Sequence, residues 1–238
     1  DYDADGAIAT ACGYLGLKKF GADVDFIVPN RFEFGYGLTP EIVDLAYRKK
    51  PSLIITVDNG IASISGVKKA KSYGIDVLIT DHHLPAEDLP DANFIVNPNQ
   101  GSCKFPSKNL CGVGVIFYVL LSLRSELRKK NRFSSHPEPK LSDLLDLVAL
   151  GTIADLVKLD FNNRTLVHFG VKKIRSGYCN FGIEALANIS NKKLKDIKTS
   201  DFSFSIAPKI NAAGRLDDMA IGIKCLIAKD KEEALDYA

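Results

Sequence analysis

A strand–helix–strand pattern decides the fold of this chain, and it lies in residues 53–83, LIITVDNGIASISGVKKAKSYGIDVLITDHH. Leu53–Val57 and Ile75–Ile79 are short, almost continuous apolar runs, which are typical of strands covered on both faces. A helix is predicted between them over residues 61–73, because the amphipathic segment stops at Gly74, the usual C-terminal signal. Two strands joined by a helix at this spacing predict a right-handed βαβ unit and therefore a parallel sheet.

The same alternation extends outward on both sides of this unit. Further strands are predicted at 24–28 and 93–96, and further helices at 5–19 and 39–49. The fold class is therefore α/β, a parallel β-sheet flanked by helices. After residue 97 the sequence predicts a mainly helical region that leads toward a second domain. Its predicted helices lie at 112–128, 141–150, 162–176, 180–189 and 217–228, with an exposed loop at 129–140.

Composition narrows the classes of protein to which the chain can belong. Its 238 residues are 46% hydrophobic and 25% charged, which is the composition of a folded globular protein and not of a disordered one. No apolar run reaches the roughly 18 residues of a membrane-spanning helix, so no membrane association is expected. A net charge of +2 neither requires nor excludes a nucleic-acid partner. The five cysteines form no CxxC pair and are odd in number, which predicts a reducing compartment, the cytoplasm.

Acidic and histidine residues cluster where the predicted strands end. Ligands bind outside the carboxyl ends of the strands in an open parallel sheet, so these clusters are expected to converge on one crevice. A further aspartate lies in an otherwise apolar run, where a carboxylate needs a partner. The residues concerned are Asp1, Asp3 and Asp5, Asp58, Asp81, His82 and His83, and Asp155.

This combination of side chains favours a pair of divalent cations. Carboxylates packed together raise one another's pKa and need cations to ionise. Two ions would satisfy them, activate a water molecule and stabilise the leaving oxygen of a phosphoryl transfer. Carboxylates with an imidazole favour Mn²⁺ or Mg²⁺, whereas thiolates would favour zinc. Taken singly, each cluster has a structural alternative: Asp1–Gly6 as a helix cap, Asp58–Gly60 as a turn, and Asp155 as a cap or ion-pair partner.

Seven short motifs distributed along the chain resemble those of a known superfamily. Four of them are similar to the motifs of the DHH phosphoesterases: Asp1–Gly6, Val57–Gly60, Asp81–His83 and Gly151–Asp155. Three more resemble the RecJ branch of that superfamily, which consists of single-strand-specific 5′→3′ DNA exonucleases: Arg31–Leu38, Leu110–Gly114 and Ala207–Asp218. The resemblance covers nearly the whole chain and implies a metal-dependent nuclease of DNA repair and recombination.

The resemblance also implies roles for the clustered residues. Asp3 would bind one metal ion and Asp5 the other, with Asp58 bridging them. His82 and Asp155 would complete the shell of the second ion, which would be Mn²⁺ by preference and Mg²⁺ as the alternative. His83 would contact the scissile phosphate, Asp81 would support the histidine pair, and Asp1 would lie just behind the ligands or join them. For Asp81 and Asp1 the alternative is a structural role, accepting backbone N–H bonds.

Four further residues are candidates for binding the substrate. Arg31 and Arg215 lie in motifs that the resemblance places near the DNA path, and arginine suits bidentate phosphate contacts. Tyr36 could stack on a base, and Asn211, predicted to lie in a turn, could bond a phosphate. Their alternatives are ordinary: a solvated arginine, a packing tyrosine and a turn asparagine. The Lys-rich segment 191–198 is interpreted as a solvated face.

The resemblance further implies a domain organisation and an alternative function. Residues 1–160 would be the catalytic DHH domain, with the strand that precedes Asp1 in relatives absent, and 161–238 a helical connector and the start of the substrate-binding region. Single-stranded DNA is the expected partner, with a single-strand-binding protein and a helicase implied by resemblance. The alternative within the superfamily is a phosphodiesterase for short oligonucleotides or cyclic dinucleotides. A non-catalytic DNA-binding scaffold is the alternative of another class, and the intact ligand set argues against it.

Overall fold

The centre of the fold is a three-stranded parallel sheet. A computed structural model of the protein describes residues 3–28, 34–135, 137–215 and 219–238. Its strands are β1 (Leu53–Val57), β2 (Asp76–Thr80) and β3 (Phe94–Val96), in the order β1-β2-β3. The register pairs Leu53 with Asp76 and Val57 with Thr80, so β1 and β2 end side by side. The predicted strands at these three places and the predicted fold class are confirmed.

Helices make up most of the remaining described chain. Short helical turns connect them at Leu141–Leu144, Leu194–Asp196 and Thr199–Asp201, and Phe202–Ile206 forms a π-helical turn. The helices are α1 (Ala4–Lys19), α2 (Pro40–Tyr47), α3 (Ile64–Ser72), α4 (Gly112–Lys129), α5 (Leu145–Ala154), α6 (Phe161–Arg175), α7 (Phe181–Ile189), α8 (Ala207–Arg215), α9 (Met219–Ile227) and α10 (Lys231–Tyr237).

Capping residues explain where several helices begin. The Asp3 side chain accepts a hydrogen bond from the N–H of Gly6 at 3.0 Å and starts α1. Asp160 and Asp230 cap α6 and α10 in the same way. A carboxylate at this position satisfies an otherwise unpaired N–H and interacts favourably with the positive end of the helix dipole. An aspartate that caps a helix is therefore held at a fixed place, which matters for Asp3 because it belongs to the predicted metal site.

The predicted strand at 24–28 is wrong. Residues 24–28 form no strand, and they line a groove of about 500 Å³ against α1 and β1 without pairing with either. The apolar pattern is typical of a strand, but a strand also needs a neighbour for its N–H and C=O groups. No described residue supplies that neighbour here.

The predicted turn around Asn211 is also wrong, because the residue lies inside α8. Pro208 falls in the first turn of this helix, where its missing N–H is tolerated, and the alanines that follow Asn211 are strong helix formers. The π-helical turn Phe202–Ile206 leads directly into α8. Helical propensity therefore outweighs the turn preference of asparagine before small residues.

One apolar core extends through most of the chain. It includes Ile8 of α1, Ile116 of α4, Leu147 of α5, Ile183 of α7 and Leu226 of α9, all nearly inaccessible to solvent. A second, smaller core lies between the sheet, α2 and α3. The helical second half therefore packs directly on the helices that surround the predicted metal site. Among the described residues, none of the helices combines the length and apolar content that crossing a lipid bilayer would require.

Candidate metal centre

Asp58 lies in a tight turn at the carboxyl end of β1. Its backbone is left-handed, with a φ of 60°, a conformation that aspartate tolerates better than most residues. Its N–H donates to the carbonyl of Thr80 at 3.0 Å, so the turn stays attached to β2. The Thr56 hydroxyl donates to the carbonyl of Asn59 at 2.7 Å and closes the turn. This arrangement buries the carboxylate of Asp58 at the end of the sheet.

Asp5 is held by the N-terminus of α4. The N–H groups of Gly112 and Val113 donate to its two carboxylate oxygens at 2.5 and 3.2 Å. An anion is stabilised there because the first N–H groups of a helix have no partner within the helix. Gly112 also permits a close approach, since a Cβ at this position would lie 2.4 Å from the Cβ of Asp58. At Gly151 an added Cβ would lie 2.8 Å from Oδ1 of Asp5.

The Asp81 carboxylate organises the loop that follows β2. It accepts hydrogen bonds from the backbone N–H groups of Ile61, His82 and His83 at 2.9, 2.7 and 3.1 Å. Nδ1 of His83 lies 2.8 Å from the same carboxylate. Both carboxylate oxygens of Asp81 thus accept hydrogen bonds within the protein, and the carboxylate orients the ring of His83.

The bond between Asp81 and His83 shifts the pKa of both groups. Burial alone would raise the pKa of Asp81, but the hydrogen bonds from His83 and from the N–H of Ile61 outweigh it and hold the pKa below its usual value. The hydrogen bond to Asp81 raises the pKa of His83 to about 8. In the metal-free protein, His83 is therefore a cation at neutral pH with Nδ1 occupied, which leaves Nε2 as a donor toward the cleft.

His82 joins two groups of potential ligands. Its Nε2 lies 3.1 Å from Oδ1 of Asp58 and 3.7 Å from Oδ2 of Asp155. Ligand atoms of Asp58, His82 and His83 all lie within 4.8 Å of one another, and so do those of Asp5, His82 and Asp155. The two overlapping sets therefore form one continuous cluster of oxygen and imidazole donors, in which Nε2 of His82 can bind a single cation and a carboxylate can contact two.

Burial and mutual repulsion raise the pKa values of the clustered carboxylates. Burial, and then the charge of Asp3, raise the pKa of Asp58 to about 8. Burial also raises the pKa of Asp5 well above its usual value, with Asp58 and Asp155 adding to the effect. The pKa of Asp155 is raised by burial and by Asp3, against the opposing influence of His82. Without positive charge, Asp5, Asp58 and Asp155 cannot all be ionised at neutral pH.

The donor atoms of the cluster are not satisfied by hydrogen bonds to one another, and their spacing suits divalent cations. Oδ1 of Asp58 and Oδ2 of Asp155 are buried and have no hydrogen-bond partner among the described residues. The 3.1 Å between Oδ1 of Asp58 and Nε2 of His82 is therefore a close approach without hydrogen-bond geometry. Adjacent ligands of an octahedral ion with bonds of about 2.1 Å lie about 3 Å apart. Oxygen and imidazole donors without thiolate suit Mg²⁺ or Mn²⁺.

Of the remaining predicted site residues, two lie beside the cluster of carboxylates and histidines. Asp3 lies close enough to raise the pKa of both Asp58 and Asp155, as an electrostatic neighbour of the cluster. Tyr36 is 69% exposed and lines a cleft of about 330 Å³ beside Asp58 and His83. Of the other four, Asn211 lies within α8 with a buried Oδ1, Arg215 is the last residue of α8, and Asp1 and Arg31 lie outside the described residues.

The structure adds residues to which sequence reasoning gave no role. Gly112 and Gly151 leave room for Asp58 and Asp5, and Asn97 and Asn99 hold the histidine loop by donating to the carbonyls of His83 and His82. The motif around Gly112 can be recognised by its resemblance to the family. The sequence does not reveal what this glycine does, because its role depends on contacts between segments far apart in the chain.

Comparison with known proteins agrees with this arrangement. Residues 1–152 match the model of the DHH family, N-terminal domain, and the chain therefore belongs to the DHH family. Within that family it is similar to proteins named single-stranded-DNA-specific exonuclease RecJ. The one from Salmonella typhimurium is 53% identical over 98% of this chain, and the one from Haemophilus influenzae is 51% identical over 100% of this chain. The chain spans 41% and 42% of the lengths of these two relatives.

Solved structures give the same result. An exonuclease RecJ crystallised with manganese superimposes with a TM-score of 0.85 at 34% sequence identity, covering all of this chain and 57% of that one. The Thermus thermophilus RecJ in complex with Mn²⁺ gives a TM-score of 0.81 at 32% identity, covering all of this chain and 32% of that one. The predicted membership of the DHH family and the fold class are confirmed by these similarities.

Proposed function

We propose that the protein of which this chain forms part is a divalent-metal-dependent exonuclease that hydrolyses single-stranded DNA from its 5′ end. The observation that carries the proposal is a cluster of carboxylate and imidazole donors in which Asp58 and Asp155 each have a buried oxygen without a hydrogen-bond partner among the described residues. Similarity to the RecJ exonucleases supports the nature of the substrate. Residues 1–160 would form the catalytic domain, and 161–238 would connect it to the remainder of the substrate-binding region.

The metal centre would hold two cations. Asp5, His82 and Asp155 would bind one, Asp3 would bind the other, and Asp58 would contact both. Mn²⁺ is the preferred metal, with Mg²⁺ as the alternative, because the donors are oxygen and imidazole and the similar structures were solved with these ions. When bound, such a pair polarises a phosphodiester and lowers the pKa of a coordinated water molecule.

The protein supplies orientation and charge around that centre. Gly112 and Val113 fix the Asp5 carboxylate so that it needs no reorganisation on binding the ion. His83, a cation held by Asp81, would donate from Nε2 to a non-bridging oxygen of the scissile phosphate. Preorganised donors of this kind act where negative charge develops in the transition state. Asp1 and Asp81 would support the ligands from behind.

The substrate strand would be held by residues outside the metal centre. Tyr36 lines the cleft and offers an aromatic face for a base. We propose Arg31 and Arg215 as phosphate contacts and Asn211 as a hydrogen-bonding residue on the strand's path. A single-strand-binding protein and a helicase are proposed as partners, because a nuclease of single strands depends on proteins that expose them. A reducing cytoplasm suits the five cysteines, which are all free thiols.

A nuclease assay on the full-length protein tests this function. A long single strand labelled at the 5′ or the 3′ end is incubated with Mn²⁺, beside a dinucleotide and a cyclic dinucleotide. We expect mononucleotides to be released from the 5′ end of the strand and the short compounds to be turned over poorly. Asp58→Asn should abolish release, whereas Asp91→Asn, which changes an exposed carboxylate paired with Lys71, should not. Preferential turnover of the dinucleotides would instead support the oligonucleotide phosphodiesterase.

A further inference from the structure

Leu156 has a conformation that its own side chain does not favour. It follows Asp155, the residue that ends α5, and its φ is 59°. At this position after a helix, glycine is usual, because a Cβ makes the left-handed conformation costly. For a bulky residue such a conformation is uncommon enough to need a reason. The turn itself gives none, since glycine would make the same turn with less strain.

Packing does not provide the reason either. The Leu156 side chain is 80% exposed, so its strain is not offset by burial of apolar surface. The N–H of Leu156 reaches the carbonyl of Ile153 only at 3.4 Å, a bond that any residue could make. Backbone strain of this kind is concentrated at functional sites, where the side chain serves a ligand instead of the fold.

A second exposed leucine borders the same centre. Leu84 directly follows His83, is 82% exposed and lines the cleft beside Asp58. Asp155 and His83 both belong to the groups of potential ligands, and each is followed by a leucine whose side chain is exposed to solvent. Each leucine is thus one residue from a group that would bind metal or phosphate, and neither side chain is buried by the fold.

We propose that Leu156, together with Leu84, contacts the sugar and base of the nucleotide whose phosphate is cleaved. In a DNA strand, the deoxyribose and its base lie next to the phosphate, so a side chain beside the metal centre could contact their apolar faces. Leucine contacts to these surfaces are independent of sequence, because every base has an apolar face. This inference rests on the proposed function and adds residues that position the substrate at the metal centre.

The test uses the full-length protein with Mn²⁺ and three variants. Leu156→Gly removes the apolar contact and relieves the backbone, and Leu156→Met keeps an apolar side chain. Lys50→Gly relieves a left-handed residue at the opposite end of β1 from Asp58, since Lys50 has a φ of 51° and precedes that strand. We expect Leu156→Gly to raise KM for a long single strand about tenfold, because the variant loses the apolar surface that Leu156 would bury against the bound strand. Its Tm should not fall below that of the wild type, and the other two variants should keep the wild-type KM.

Substrates with a single abasic site complete the test. The site is placed at the first or the second nucleotide from the 5′ end, on either side of the first bond to be cleaved. The wild type should lose about tenfold in kcat/KM on one of these strands, whereas Leu156→Gly should lose nothing further. Additive losses, or a lower Tm of Leu156→Gly with an unchanged KM, would overturn the inference, the latter because Leu156 would then pack against the protein. Absence of hydrolysis by the wild type would instead refute the proposed function.

Discussion

At the scale of single residues, the clustering of the candidate metal ligands can be predicted from the sequence, but the residues that support them cannot. Asp5, Asp58, His82 and Asp155 stood out because carboxylates and imidazoles followed predicted strands or interrupted an apolar run, and the structure brings their ligand atoms together. Gly112 could not be given a role, because its contact with Asp58 joins segments more than 50 residues apart in the sequence. No local pattern contains that information.

We expect Gly112→Ala to weaken Mn²⁺ binding at least tenfold while the protein stays folded. The added Cβ would lie 2.4 Å from the Cβ of Asp58 and 2.6 Å from its Oδ1, so the carboxylate must move. Calorimetric titration with Mn²⁺ measures the change. Gly114→Ala is the matched control in the same helix, since its Cβ would come no closer than 3.2 Å to the Leu110 side chain and 3.8 Å to Sγ of Cys111. Equal affinity of the two variants would show that the close approach does not matter.

We also expect Asp81→Asn to lower the pKa of His83 from about 8 toward its ordinary value near 6.5. The carboxylate favours the charged imidazole, so its removal takes that stabilisation away. Titration of the His83 ring protons by NMR in the metal-free protein follows the shift directly. Asp76→Asn changes an exposed carboxylate on β2 and should leave the titration of His83 unaltered. A pKa that stayed near 8 in Asp81→Asn would mean that another group charges His83.

At the scale of elements, the apolar pattern located the three strands but failed where an element depends on a neighbour. The run at 24–28 has the composition of a strand and finds no strand beside it in the described chain. The helix Ala207–Arg215 was hidden by Pro208 and by the turn preference of Asn211, although its alanines favour a helix. A neighbouring strand in the one case, and helical propensity in the other, therefore determine the secondary structure that local composition alone does not.

The start of α6 gives a prediction at this scale. Asp160 caps the helix through the N–H of Asn163 at 2.9 Å, and it also accepts from Ser107 and Asn109, which ties down the loop leading into α4. We expect Asp160→Ala to lower the free energy of unfolding by about 2–3 kcal/mol, a cap plus two further bonds. Asp230→Ala removes a cap alone and should cost about 1 kcal/mol. Urea denaturation compares them, and equal losses would show that the loop contacts contribute nothing.

At the scale of the whole molecule, the cluster of carboxylates links stability to pH and to metal. Burial raises the pKa of Asp58 to about 8, and the hydrogen bond to Asp81 raises that of His83 to about 8. In both cases the folded protein binds protons more tightly than the unfolded chain, so the contribution of these two groups to stability falls as the pH rises toward about 8, from 3.8 upward for Asp58 and from 6.5 upward for His83. Asp81, whose pKa is lowered, is ionised in both states between pH 6 and pH 8 and adds no slope there.

We therefore expect the metal-free protein to have a higher Tm at pH 6 than at pH 8, and Mn²⁺ to stabilise it more at pH 8. Cations replace protons on the carboxylates, so their affinity rises with pH until Asp58 is ionised. Thermal unfolding of the full-length protein at both pH values, with EDTA or with Mn²⁺, measures the two effects. Asp58→Asn should flatten the pH dependence in EDTA and remove most of the stabilisation by Mn²⁺, because its amide neither titrates nor offers a charge. A Mn²⁺-induced rise in Tm that was larger at pH 6 would contradict the assignment of Asp58 as the carboxylate that the metal must deprotonate.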